Sequence, residues 1–79
     1  MEKIQIIKTL EDIFKDVLEE ENLIITEDME VSDINGWDSL SQINIIDEIE
    51  KRFNIHFSIG EIVVLKTIDD IIKLIETKL

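Results

Sequence analysis

The chain has no cysteine, no proline and no tyrosine, one histidine, one tryptophan and only two glycines. Without thiols, neither a disulfide nor a thiolate metal site can hold it together, so its stability must come from a packed apolar core. The shortage of histidine and cysteine also weighs against catalysis. A serine–histidine–acid arrangement around His56 would need a shaped, water-excluding pocket, which 79 residues can barely build. Bases are scarce as well: eight against nineteen acids, a formal net charge of −11. Phosphate recognition needs clustered lysine and arginine, so nucleic acid is not an expected ligand. The same charge attracts basic partner surfaces and keeps a small domain soluble. The longest apolar run is four residues, Ile62 to Leu65, far short of a membrane span. The start, MEKIQIIKTL, mixes acids and lysines into its apolar positions, unlike a secretory signal. A cytoplasmic protein that is not an enzyme is expected.

What the chain does have is aliphatic mass: eighteen isoleucines, seven leucines and four valines, enough for one compact core spanning residues 1–79 as a single domain. Ile4, Ile7, Leu10, Phe14, Val17 and Leu18 recur at helical steps and predict an amphipathic helix over 3–20. Residues 21–38 break the pattern with six acids and no base, and Asn35-Gly36 is a turn signal. Loops this long are uncommon in compact domains and often functional. Leu23, Ile24, Ile25, Met29, Val31 and Ile34 are expected to pin this one to the core. A second helix is predicted over 39–53, with Leu40, Ile43, Ile46, Ile49 and Phe53 as its core stripe. Residues 58–65 are ambiguous, since Ile62-Val63-Val64 is β-branched, but Ser58 with Glu61 fits a capping box and favours a short helix. Thr67 opens the last helix, with Asp69 and Asp70 in its first turn and Ile68, Ile71, Ile72, Ile75 and Leu79 as its apolar face. The expected fold is all-α: a small bundle of three longer helices and a short third one, with a long acidic loop between the first and second.

Gly36-Trp37-Asp38-Ser39-Leu40 opens the second helix. A serine there sits near the positive end of the helix dipole and near free backbone N–H groups, where an attached phosphodiester would be stabilised. The same residues also fit a plain helix start: Asp38 as N-cap, or Ser39 with Gln42 as a capping box.

This run resembles the attachment site of acyl carrier proteins, whose core is Asp-Ser-Leu at the start of the second helix. The likeness extends over the whole chain, through its length, acidity, helix order and long first loop. Ile49-Glu50-Lys51-Arg52-Phe53-Asn54-Ile55 is similar to that family's helix-two ending, and Glu61-Ile62 followed by Thr67-Ile68-Asp69-Asp70-Ile71 to its third helix running into the fourth. The resemblance implies that Ser39 carries 4′-phosphopantetheine from coenzyme A, whose thiol holds an acyl or aminoacyl group as a thioester, and that Asp38 assists the transferase and Leu40 contacts partners. It implies a monomer served by a phosphopantetheinyl transferase, an acyl-loading ligase or transferase, and downstream biosynthetic enzymes. Asn44, Asp47, Glu48 and Glu50 would form the partner face. Asn44, Lys51 and Val63 stand where fatty-acid carriers have acids, and Trp37 resembles stand-alone carriers of specialised pathways. Ile46, Ile49, Phe57, Ile62 and Leu65 would line any acyl cavity, and the bulk of Ile62 favours short or polar cargo.

Two other readings compete. A calcium loop fails: counting from Asp28, the sixth position is Asp33 rather than glycine and the twelfth is Ser39, so no metal site is expected. An unmodified acidic helical adaptor differs from a carrier only in whether Ser39 is modified.

Overall fold

The computed structural model describes residues 2–79. Four helices follow one another: α1 (Lys3–Leu18), α2 (Ser39–Phe53), α3 (Ile59–Val63) and α4 (Ile68–Lys78). No strand occurs among the described residues, and no helix is long and apolar enough to cross a membrane. The all-α bundle with a short third helix is as expected, and α1 ends two residues earlier than the pattern predicts. It stops because Glu19 turns left-handed at φ 56° and donates its N–H back to the Lys15 carbonyl. Asn54 ends α2 in the same way, its N–H returning to Glu50.

The core is almost entirely isoleucine and phenylalanine. Ile6, Leu10, Ile13 and Phe14 of α1 meet Ile45, Ile46, Ile49 and Phe53 of α2 and Ile68, Ile71, Ile72 and Ile75 of α4. Phe57, on the connection after α2, is buried with them. This corrects the stripes read from spacing. In α1 the buried face is turned toward Ile6 and Ile13, while Ile4 is exposed. In α2 the stripe runs through Ile45 rather than Leu40 and Ile43, both of which stand out in solvent. Leu79 is exposed at the end of α4. Both α1 and α2 carry more aliphatics than one face accommodates, so spacing alone does not choose between overlapping stripes.

The acidic loop is ordered by backbone as well as by its apolar residues. Ile25, Val31 and Ile34 are buried, whereas Ile24 points out. The Val31 N–H donates to the Lys66 carbonyl at 2.9 Å, and the Ile68 and Asp69 N–H groups donate to Met29 and Glu27, each at 2.9 Å. The last two of these bonds give partners to N–H groups at the start of α4 that the helix itself leaves unpaired. Glu27 also pairs with Lys3 at 2.7 Å, and the Ile25 N–H donates to Glu11 Oε2 at 3.1 Å. The loop therefore has a fixed path, which delivers Gly36-Trp37-Asp38 to the head of α2.

Ser58 and Thr67 cap α3 and α4, each in a reciprocal capping box, with Glu61 and Asp70 respectively. Both carboxyls are held below the usual range, mainly because each accepts backbone N–H bonds: Glu61 from Ser58, Asp70 from Lys66 and Thr67.

Candidate functional site

The head of α2 is built by a turn that only glycine adopts without strain. Gly36 has φ +88°, and Leu18 lies close above it. The Trp37 N–H donates to the Ile34 carbonyl, closing the turn. The Trp37 ring then packs on Phe14 of α1, with centroids 5.5 Å apart and planes at 58°, a favourable tilted contact. Its indole N–H reaches Gln42 Oε1 at 3.3 Å. The tryptophan thus fastens the loop to both α1 and α2.

Of the two possible caps, Asp38 is the one formed. Its Oδ1 accepts the Ser41 N–H at 2.8 Å, and its carbonyl accepts the Gln42 N–H at 2.9 Å. The Ser41 hydroxyl donates to the Gly36 carbonyl at 3.0 Å. Gln42, a candidate partner for a Ser39 cap, is engaged with Trp37 instead. Ser39 is left as the first residue of α2, exposed, with no side-chain hydrogen bond among the described residues. As the first residue of α2 it lies at the end of the helix where the dipole favours negative charge. Phosphodiester attachment needs such a hydroxyl, so the residues present fit a covalent phosphopantetheine arm.

Asp38 is held below the ordinary aspartate range, chiefly by the Ser41 backbone N–H and then by the Ser41 hydroxyl. A carboxyl so lowered adds stability that is fully present above its unfolded value, about 3.9, and lost as pH falls through the folded one. Wild type is therefore expected to melt above Asp38→Ala at neutral pH. The gap between their thermal midpoints should narrow once pH drops below about 3.9. A gap that stays constant down to strongly acidic pH would show that the carboxylate is not the cap.

The other sequence-predicted residues are scattered. Asn44 is exposed on α2, and the acids near it are engaged within the chain. Asp47 pairs with Lys51 at 3.0 Å and Glu48 with Arg52 at 3.8 Å. Glu50 turns inward, accepting the Phe57 N–H at 2.8 Å and facing His56 at 3.1 Å. His56 is thereby a connection residue in solvent, far more exposed than a catalytic base would be. The five cavity candidates do not share one space. Ile46 and Ile62 line a groove of about 220 Å³ between α2 and α3, together with Gln42, Ile43, Asp47 and Glu50. Ile49 and Phe57 are core residues, and Leu65 faces other grooves, toward α4 and toward Trp37. No group of acids or histidines among the described residues is arranged to hold a metal ion.

Comparison with known proteins places the chain in a family. The family described as phosphopantetheine attachment site matches residues 8–75. The chain belongs to the phosphopantetheine-attachment family of acyl carrier proteins. An acyl carrier protein from Coprothermobacter proteolyticus is 33% identical over 81 residues, covering all of this chain and 96% of that one. The solution structure of holo acyl carrier protein from Geobacter metallireducens superposes with a TM-score of 0.83 at 33% identity, covering 91% of this chain and 83% of its own. The protein is a carrier, not an enzyme: it tethers acyl intermediates on a phosphopantetheine arm and works through partner enzymes. The reading as an unmodified adaptor falls with this assignment.

Proposed function

We propose that Ser39 is the residue that carries the arm, in a monomeric cytoplasmic carrier of a specialised pathway. The observation that supports Ser39 is its position: an exposed hydroxyl at the first residue of α2, without a hydrogen bond among the described residues, with the capping done by its neighbour. Attachment would exchange the Ser39 O–H bond for an O–P bond, the proton passing to a base of the transferase and the nucleotide part of coenzyme A leaving. The arm supplies the thiol that this cysteine-free chain lacks, and its tether keeps the thioester at high effective concentration near a docked enzyme. Asp38 would hold the helix start in shape while presenting a carboxylate beside the reacting hydroxyl. Incubating the protein with coenzyme A and a broad-specificity phosphopantetheinyl transferase tests the reading. A single gain equal to one phosphopantetheine is expected, and an unchanged mass would refute it.

The cargo is proposed to be short or polar. The groove between α2 and α3 is open, with Gln42, Asp47 and Glu50 on its walls beside Ile43, Ile46 and Ile62. A second hollow of about 370 Å³ beside Trp37 is lined by Glu30, Ser32, Gln42 and Lys66 as well as Val31 and Leu65. Neither offers a closed apolar tunnel in which a long chain could escape water. NMR spectra of acetyl- and octanoyl-loaded protein should therefore differ little at core methyls such as those of Ile49 and Ile72. Large shifts at those methyls with the longer chain would contradict short cargo.

A further inference from the structure

Resting on the assignment of the arm to Ser39, we propose that the hollow beside Trp37 is the resting site of the pantetheine arm, with Lys66 donating to the arm's oxygens and Trp37, Val31 and Leu65 covering its geminal methyl groups. The hollow, about 370 Å³, is bounded by the acidic loop, the head of α2 and the Leu65-Lys66 connection between α3 and α4. Its volume falls in the range of small-molecule sites. Two of its residues flank the attachment point. Trp37 lies two residues before Ser39, and Gln42 lies about one turn after it on the same side of α2. The arm is thus anchored next to two of the side chains that line the hollow.

The chemistry of the walls matches that of the arm. The arm carries two amides, a hydroxyl and a negative phosphodiester, with a geminal dimethyl group and methylenes between them. The hollow mixes polar and apolar residues in the same way. Lys66 is its base, and the Lys66 ammonium forms no ion pair among the described residues, whereas Lys3, Lys15, Lys51 and Lys73 each face an acid. The Glu30 carboxylate accepts hydrogen bonds, as the arm's amide N–H groups require. Gln42 Oε1 takes the Trp37 indole N–H at 3.3 Å, which leaves the Gln42 NH₂ group to donate. The walls are also set before an arm arrives. The Val31 N–H donates to the Lys66 carbonyl at 2.9 Å and the Lys66 N–H to Asp70 Oδ2 at 3.0 Å, so the loop wall is tied to the α3–α4 wall. Trp37 is fixed by Phe14 and Gln42. A site fixed beforehand loses little freedom on binding. The groove between α2 and α3 is the competing place. It is smaller, about 220 Å³, and the charged residues lining it, Asp47 and Glu50, are both acids, which repel a phosphodiester.

The test compares the full-length protein before and after arm installation, under reducing conditions, and reads Trp37. Acrylamide, a neutral quencher, reports how open the indole is to solvent. Its quenching constant for wild type is expected to fall at least twofold when the arm is installed. The fall should be largely lost in Lys66→Gln combined with Ser32→Ala, a pair of exposed positions whose circular dichroism should match wild type. NMR supplies the location: the geminal methyl protons of the arm should show NOEs to the Val31 and Leu65 methyls and to the Trp37 ring. NOEs from those protons to Ile46 and Ile62 instead would put the arm in the groove between α2 and α3 and overturn the proposal. Unchanged quenching, with no NOE from the arm beyond Leu40, would overturn it too, since the arm would then hang free in solvent. An equal fall in the double variant would refute the part given to Lys66. Failure of wild type to gain mass would instead refute the Ser39 assignment, before any of these readings is taken.

Discussion

Ser39→Ala is expected to abolish arm attachment completely while leaving the fold intact. The substitution removes the hydroxyl proposed to form the O–P bond and nothing that holds α2 in place. Asp38 provides the cap by accepting the Ser41 and Gln42 N–H groups, and the Ser39 side chain makes no hydrogen bond among the described residues. Alanine is also a better helix former than serine, so stability should be unchanged or slightly raised. Ser41→Ala gives the opposite pattern. It removes the hydroxyl bond to the Gly36 carbonyl, which ties the turn to the helix, at a cost of about 1 kcal/mol. It leaves the proposed attachment atom in place, so the arm should still be installed. Intact mass and thermal melting of the two variants separate the roles. A Ser39→Ala protein that still gains mass would break the account at its centre.

The second large effect is structural. Phe14→Ala is expected to cost about 3–5 kcal/mol, as truncations of fully buried aromatics do. A chain of this length has only roughly 4–12 kcal/mol in total, so the variant should lose much of its stability. Its effect should also reach the site, because the Phe14 ring is the platform for Trp37, 5.5 Å away between centroids. Trp37 is the chain's one tryptophan and reports directly by fluorescence. Urea unfolding should shift to much lower midpoint, and native emission should move toward that of a solvated indole. Trp37→Phe, which keeps a ring against Phe14 but loses the bond to Gln42, should be far milder. A loss below about 1 kcal/mol in Phe14→Ala, smaller than any buried-aromatic truncation in that range, would mean that α1 does not anchor the loop as described.

These two residues also show how much of the molecule was readable beforehand. The location of Ser39 at the start of a helix followed from local rules: a glycine turn, a capping aspartate and an apolar run beginning afterwards. The caps at Ser58 and Thr67 were equally local, each a short polar side chain with an acid three residues on. The orientation of the helices was not local. In α1, aliphatics at 4, 6, 7, 10, 13, 17 and 18 satisfy two overlapping stripes, and only packing against α2 and α4 selects Ile6 and Ile13. The same ambiguity placed Leu40 and Ile43 in the core on spacing alone, when they form the exposed face beside Ser39. Pairing of Asp47 with Lys51 and Glu48 with Arg52 lies in the four-residue spacing. The engagement of Glu50 with Phe57, and of Trp37 with Phe14, depends on the chain's turning back and has no local signature.

The most direct test is to fragment the arm-loaded full-length protein in a mass spectrometer and locate the added phosphopantetheine along the chain. The added mass should enter the fragment series between Asp38 and Leu40. Its appearance at Ser32, Ser41 or Ser58 would contradict a carrier whose working atom is the hydroxyl opening α2.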